Sequence, residues 1–247
     1  MGRVIAIVQA RMTSRRLPGK VMRLLLGREM ILHQLERIKR AKLVDEIIVA
    51  TSVDPTDDIL AECLEKNGQK FHRGDLNNVL SRYYHTALVL QPSSDSSIVR
   101  LTADCPLTDP AVIDAVISQH LQSKADYTSN TMKPTFPDGL DVEVCTWTAL
   151  QKAHAEAKTD FEKEHVTPFF YQNPSKFHLE SHLNPMGDLS TLRWTVDEPT
   201  DFALVEKIYG ALYPQNPAFS TVDIMNVLRA NPEWQKLNTG LIRNAGY

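Results

Sequence analysis

Few features of this chain are extreme, and each shortage removes a class of protein. Cysteine is scarce: Cys63, Cys105 and Cys145 lie far apart without a C-x-x-C pair. An odd count at such spacings argues against a disulfide framework, a zinc ribbon or a dithiol redox site. No apolar run approaches the roughly 18 to 20 residues of a membrane span. The opening MGRVIAIVQARM reads straight into a strand rather than as a signal segment. A soluble, cytoplasmic protein with no membrane contact is therefore expected. Excess charge is also missing, with a net charge of −3, so nucleic acid is not an expected partner. There is no internal repeat or low-complexity tract. Glycine-rich phosphate loops are absent too: Gly19-Lys20 is followed by Val21, and Ser14 stands where a Walker A motif begins with glycine.

What is present is apolar patterning across 247 residues, 43% of them hydrophobic, enough for one large domain with a substantial core. RVIAIVQA, EIIVATS and SSIVRLTA read as buried strands, because continuous β-branched runs suit a parallel sheet covered on both faces. Between them Ile31, Leu35 and Ile38, then Val79, Tyr83 and Ala87, then Val112, Val116 and Ile117 recur at helical spacing. The βαβαβα order predicts a three-layer α/β domain with right-handed crossovers and a mostly parallel central sheet. Beyond Thr128 come an alternating LDVEV, helices near 146–157 and 161–172, a β-like KFHLESHL, a strand-like LRWTV, and helices at 199–212 and 220–230. Residues 130–190 read as an insertion within a single domain spanning 1–247. Its seven aromatic residues, from Phe136 to Phe177, read as apolar material outside the core that a partner would cover.

In an open parallel sheet, ligands bind at the carboxyl ends of the strands, and three such loops carry chemistry. The first, ARMTSRRLPGK, holds Arg11, Arg15, Arg16 and Lys20. Guanidinium forks and freed backbone N–H groups suit a triphosphate, and Gly19 lets the backbone approach; a solvated basic loop is the plain alternative. The second, RLTADCPLTDP, places Asp104 at a strand end before proline, where it could hold Mg²⁺ through oxygen or cap a turn. Asp109, before Pro110, reads as a helix N-cap. In the third, LRWTVDEPTDF, Asp197 offers a second carboxylate or, equally, a cap. Together the two aspartates and the cationic loop form a constellation stronger than any member alone.

The ordered set ARMTSRRLPGK, RGDLNNVLSRYY, RLTADCPL, DGLDVEV, KEHVTPFF and WTVDEPTDF resembles the CMP-sugar-forming cytidylyltransferases, most closely the SpsF-type polysaccharide-biosynthesis members. The resemblance implies a Rossmann-like nucleotidyltransferase fold and an enzyme that joins CTP to a hydroxyl of an acidic sugar, with Mg²⁺ as cofactor. It implies nucleotide contacts from Ala10, Arg11, Ser14, Arg16, Lys20, Arg82, Thr102 and Asp104, with Arg16, Lys20 and Asp104 catalytic. Metal ligation falls to Asp104 and Asp197, and the sugar faces Asp138, Gly139 and Asp141. The related enzymes dimerise through the region matching 130–190, so a homodimer is expected. Asn77-Asn78, Ala103 and Lys163 depart from the family's commoner residues and leave the acceptor sugar open. Tyr83, Phe169 and Phe170 read as packing residues, and His165, beside apolar neighbours, as structural rather than a general base. A glycosyltransferase fed by a nucleotide sugar and a non-catalytic nucleotide binder are the competing readings.

Overall fold

The structure is a computed structural model that describes residues 2–241 and 243. The elements in chain order are β1 (Val4–Gln9), β2 (Leu24–Leu25), β3 (Arg28–Glu29), α1 (Met30–Ile38), β4 (Glu46–Ser52), α2 (Asp58–Lys66), β5 (Phe71–Gly74), α3 (Val79–Val89), β6 (Ser97–Thr102) and α4 (Pro110–Ser123). There follow β7 (Tyr127–Ser129), β8 (Glu143–Thr146), α5 (Trp147–Glu156), α6 (Asp160–His165), α7 (Pro168–Tyr171), β9 (Leu179–Ser181), α8 (Pro199–Leu212), α9 (Thr221–Ala230) and α10 (Pro232–Gln235). Seven strands form one sheet in the order β5-β4-β1-β6-β8-β7-β9. β5, β4, β1 and β6 are mutually parallel, β8 runs antiparallel to both β6 and β7, and β9 pairs parallel with β7.

Alternation along β1 sends Val4, Ala6 and Val8 to one face, against Leu35, Leu60 and Ile113. Ile5 and Ile7 go to the other, against Leu80, Tyr83, Leu150 and Phe170. Burial on both faces explains the uninterrupted apolar run. A third cluster joins Trp194, Val196, Phe202 and Tyr209 to Leu25, Leu107 and Leu140, and so fastens α8 and α9 to segments that connect the strands.

The chain moves outward in one direction from β1 through β4 to β5, then returns to lay β6 on the other side of β1. That reversal is the topological switch point where open α/β sheets leave a crevice. Gln9 and Thr102 are paired in register, and Ala103 N donates to Gln9 O at 2.8 Å. The basic loop and the Asp104 loop therefore leave the sheet side by side.

Several expectations are corrected. LRWTV forms no strand; it makes one isolated bridge, between Asp138 and Arg193, and its apolar character serves the burial of Trp194 and Val196. The single helix expected over 161–172 breaks into α6 and α7 at Val166. There φ is 67° and ψ is −59°, and Thr167 N donates to His165 O at 2.7 Å, a tight three-residue turn that β-branched residues seldom adopt. Trp147, Phe169, Phe170 and Phe177 are core residues, because β8 and β9 extend the sheet and α5 to α7 cover it, and Phe136 is buried in the third cluster with Trp194. Phe161 and Tyr171 are exposed.

Candidate active site

The basic loop is held by its backbone. Asp57, fully buried below it, accepts from Met12 N at 2.7 Å and from Ser52 N and Thr51 Oγ1 at 3.1 Å. Met12 O in turn accepts from Ser14 N at 3.0 Å and Gly19 N at 2.9 Å, which closes the loop. Gly19 makes the last turn with φ 68°, a conformation that costs glycine little. Lys20 follows, buried at the start of a short 3₁₀ turn.

The Lys20 ammonium donates to Asp104 Oδ2 at 2.9 Å and to Asp197 Oδ1 at 2.8 Å, and so joins loops that lie 84 and 177 residues away. Burial pulls the Lys20 pKa down, but the two carboxylates outweigh it and the net shift is upward. For Asp104 burial pushes upward, and the Lys20 charge with hydrogen bonds from Thr102, Lys20 and Cys105 drives it far below the usual carboxylate range. Val196 N donates to Asp104 O at 2.8 Å, which fixes the third loop against the second. Asp197 also receives Arg16 Nη2 at 2.9 Å, while Arg16 Nε lies 3.5 Å from Glu198.

Behind this pair runs an alternating row of charge. Arg193 Nη2 donates to Asp197 at 2.9 Å, Nη1 to Asp138 at 2.7 Å, and Nε to Asp201 at 3.0 Å. Asp201, wholly buried, also accepts from Asp197 N and Glu198 N, at 3.0 and 2.9 Å, and caps α8. Arg243 continues the row, with Nη2 2.5 Å from Asp141 and Nε 3.9 Å from Asp138. Burial pushes the Asp141 carboxyl up to about 7 against the pull of Arg243; Asp138 is likewise raised by burial.

The sequence-derived site residues divide accordingly. Arg16, Lys20, Asp104, Asp197 and Asp138 meet in one network, which Arg243 connects to Asp141. Ala10 is buried at the base of the loop, and Ser14 Oγ accepts from Leu17 N at 3.4 Å. Thr102 supports the Asp104 carboxylate and accepts Gln34 Nε2 on its carbonyl at 2.8 Å. Arg82 is buried: its Nη1 donates to Asp75 and Leu76 carbonyls, and its Nε and Nη2 have no hydrogen-bond partner among the described residues. Burial and then the nearby Arg11 lower its pKa. Arg15 is exposed. Gly139 has φ 106°, and a Cβ there would lie 2.5 Å from Thr195 N, so packing alone demands glycine. Asp109 caps α4, as its Asp-Pro step indicates, and Tyr83 is a core residue whose hydroxyl donates to Leu101 O at 3.1 Å. Arg193, Asp201, Arg243 and Asp57 were not anticipated as site residues.

Among the described residues no cluster of three or more histidine, cysteine, aspartate or glutamate side chains could hold a metal. The Asp104 and Asp197 pair nonetheless fits one. Two oxygens from different loops already converge on a single cationic nitrogen, and Mg²⁺ commonly uses one or two carboxylates, with water and phosphate completing its shell.

The basic loop and the carboxylate pair meet at the switch point of a mostly parallel α/β sheet, and the fold is that of the nucleotidyltransferases. A sequence model described as cytidylyltransferase matches residues 5–222, and the chain belongs to that family. It is 30% identical over 240 residues to the spore coat polysaccharide biosynthesis protein SpsF of Bacillus subtilis, covering 94% of this chain and 97% of that one. It is 33% identical over 127 residues to a 3-deoxy-manno-octulosonate cytidylyltransferase of Geobacter sulfurreducens, 49% of this chain and 47% of that one. The structure of a cytidylyltransferase from Leptospira borgpetersenii superposes with a TM-score of 0.89 at 30% identity, covering 98% of this chain and 99% of that one. Among the described residues no helix is long and apolar enough to cross a membrane.

Proposed function

We propose that this protein transfers the cytidylyl group of CTP to a hydroxyl of an acidic sugar, a nonulosonic or octulosonic acid, for surface polysaccharide biosynthesis. The sugar oxygen bonds to the α-phosphorus, the bond to the β-phosphate bridging oxygen breaks, pyrophosphate leaves, and the hydroxyl proton passes to solvent. The observation that carries this reading is the convergence of Lys20, Asp104 and Asp197 at the switch point, in a chain of the cytidylyltransferase family. The name of the octulosonate relative supports cytidine and an acid sugar, and that of SpsF supports the polysaccharide role.

In this reading Arg16 and Lys20 take the β- and γ-phosphates and offset the charge that grows on the leaving pyrophosphate. Arg11 and Arg82 line the nucleotide side, and Asp138, Gly139 and Asp141 the sugar side. Asp104 and Asp197 would hold Mg²⁺, which when bound withdraws charge from phosphate oxygens. Arg193 orients Asp197, and the Asp57-anchored loop keeps Arg16 and Lys20 in place, so the protein acts mainly by positioning and charge.

The test is pyrophosphate release with each of the four nucleoside triphosphates and Mg²⁺, against nonulosonic acids, octulosonic acids and neutral sugars. Turnover with CTP and one acid sugar is the expected outcome. Turnover with a neutral sugar, or with another triphosphate in preference to CTP, overturns the corresponding half of the proposal. The enzyme is proposed to work as a cytoplasmic homodimer; a monomer in sedimentation at tens of micromolar would refute the dimer.

A further inference from the structure

Lys20 occupies the position that a shared cation of Asp104 and Asp197 would take. Its Nζ lies 2.9 Å from one carboxylate and 2.8 Å from the other. It is not alone there. Arg16 and Arg193 each bring a guanidinium nitrogen to 2.9 Å from the same Asp197 Oδ2. The two carboxylates are thus already engaged by three cations before any nucleotide arrives, although Arg193 also serves Asp138 and Asp201, and Arg16 also lies near Glu198. A divalent ion approaching this pair would lose part of its tightly held water shell, displace the ammonium that bridges the two carboxylates, and compete with the guanidinium groups of Arg16 and Arg193 for Asp197.

We infer that Lys20 excludes free divalent cations from the Asp104 and Asp197 pair, so that metal enters only with the triphosphate that draws the lysine away. The backbone permits this exchange. Lys20 is the first residue of a 3₁₀ turn fixed by Met22 N on Gly19 O and Arg23 N on Lys20 O, while its four-carbon stem can re-aim the ammonium without moving that turn. A triphosphate concentrates several negative charges and offers Lys20 and Arg16 charge-assisted bonds to phosphate oxygens in place of the Asp197 carboxylate that they share with Arg193. On its arrival Lys20 and Arg16 would turn to phosphate, and the carboxylates they leave would become metal ligands. The release step rests on the nucleotide reading above; the exclusion is a property of the protein alone.

The experiment is a Mn²⁺ titration followed by electron paramagnetic resonance, which counts free Mn²⁺ and needs no turnover. Wild-type protein without nucleotide should leave Mn²⁺ free up to millimolar concentration. Lys20→Met should bind one Mn²⁺ at least about tenfold more tightly, and adding Asp104→Asn to it should abolish that gain. Lys20→Gln is made in parallel, and whichever variant keeps the wild-type circular dichroism is used. Submillimolar Mn²⁺ binding by the nucleotide-free wild type overturns the inference, as does a folded variant without the gain. Because the sugar and triphosphate panel is read separately, failure of that panel leaves the exclusion standing, and failure of the Mn²⁺ titration leaves the nucleotidyl-transfer reading standing.

Discussion

Asp201 is the buried centre of the charge row, and its removal is the most demanding test of that row. Its carboxylate takes two bonds from Arg193, at 3.0 and 3.1 Å, two from the backbone N–H groups of Asp197 and Glu198, and one from Asn238 at 2.9 Å. Breaking a buried ion pair costs about 3 to 5 kcal/mol, because the remaining charge is left without compensation. Arg193 would keep Asp138 and Asp197, which places Asp201→Ala near the low end, but the two stranded N–H groups add about 1 kcal/mol. A loss of about 3 to 4 kcal/mol is expected, a large part of a typical domain's 5 to 15, and a Tm lower by about 10 °C. Urea unfolding followed by tryptophan fluorescence measures it, since buried Trp194 reports on this region. Burial raises the Asp201 pKa, but Arg193, Asn238 and the N–H bonds together lower it. Its contribution is therefore present above the ordinary aspartate pKa of about 3.9 and fades as pH falls through the lower native value, so the gap between wild type and variant should close in acid. In a cycle with Arg193→Met the two changes should couple by at least about 1 kcal/mol. A variant within about 1 kcal/mol of wild type at neutral pH would refute the account of the row as a connected unit.

Other outcomes follow from the same geometry. Burial lowers the His120 pKa to about 4, so between its ordinary value of about 6.5 and that value the unfolded chain binds more protons. Stability should therefore fall by on the order of 3 kcal/mol as pH drops through this window, and His120→Gln should flatten the slope in urea titrations at successive pH values. Gly139→Ala, with φ 106° and a Cβ 2.5 Å from Thr195 N, should cost at least about 2 kcal/mol in calorimetry; a neutral result would mean that this backbone is placed differently. Arg16→Ala should lower kcat for pyrophosphate release about 100-fold with little change in folding, and a rise in KM alone would assign Arg16 to binding only.

The central strands were legible because β1, β4 and β6 are covered on both faces, and continuous β-branched runs report that directly. β5 was not: its four residues FHRG are half-buried at an edge, where neither alternation nor an apolar run develops. LRWTV misled because hydrophobicity reports burial, not ladder hydrogen bonds. Trp194 and Val196 are buried beneath α8 without strand partners. The aromatic residues from Phe136 to Phe177 misled similarly, since composition says that a segment will be covered without saying what covers it. Here the cover for Trp147, Phe169, Phe170 and Phe177 is the sheet's own second half, that for Phe136 is the cluster around Trp194, and Phe161 and Tyr171 stay exposed.

Candidate site residues at strand ends were legible for a comparable reason. Loops after parallel strands gather at one edge, so a charged residue there can be nominated from local pattern alone. Arg193 and Arg243 carried no such signal, because their partners Asp138 and Asp141 lie 55 and 102 residues away. The same limit bears on Lys20. Its sequence setting marks it as a phosphate ligand, and Asp104 and Asp197 read separately as metal ligands; no spacing reveals that the lysine sits between them. Placing it there changes the chemistry expected of the protein without nucleotide. A carboxylate pair with no cation would bind divalent metal and resist phosphate, whereas a pair already bridged by an ammonium and contacted by guanidinium groups admits phosphate first. The order of arrival is thus a property of side-chain placement, and two chains with identical motifs could differ in it.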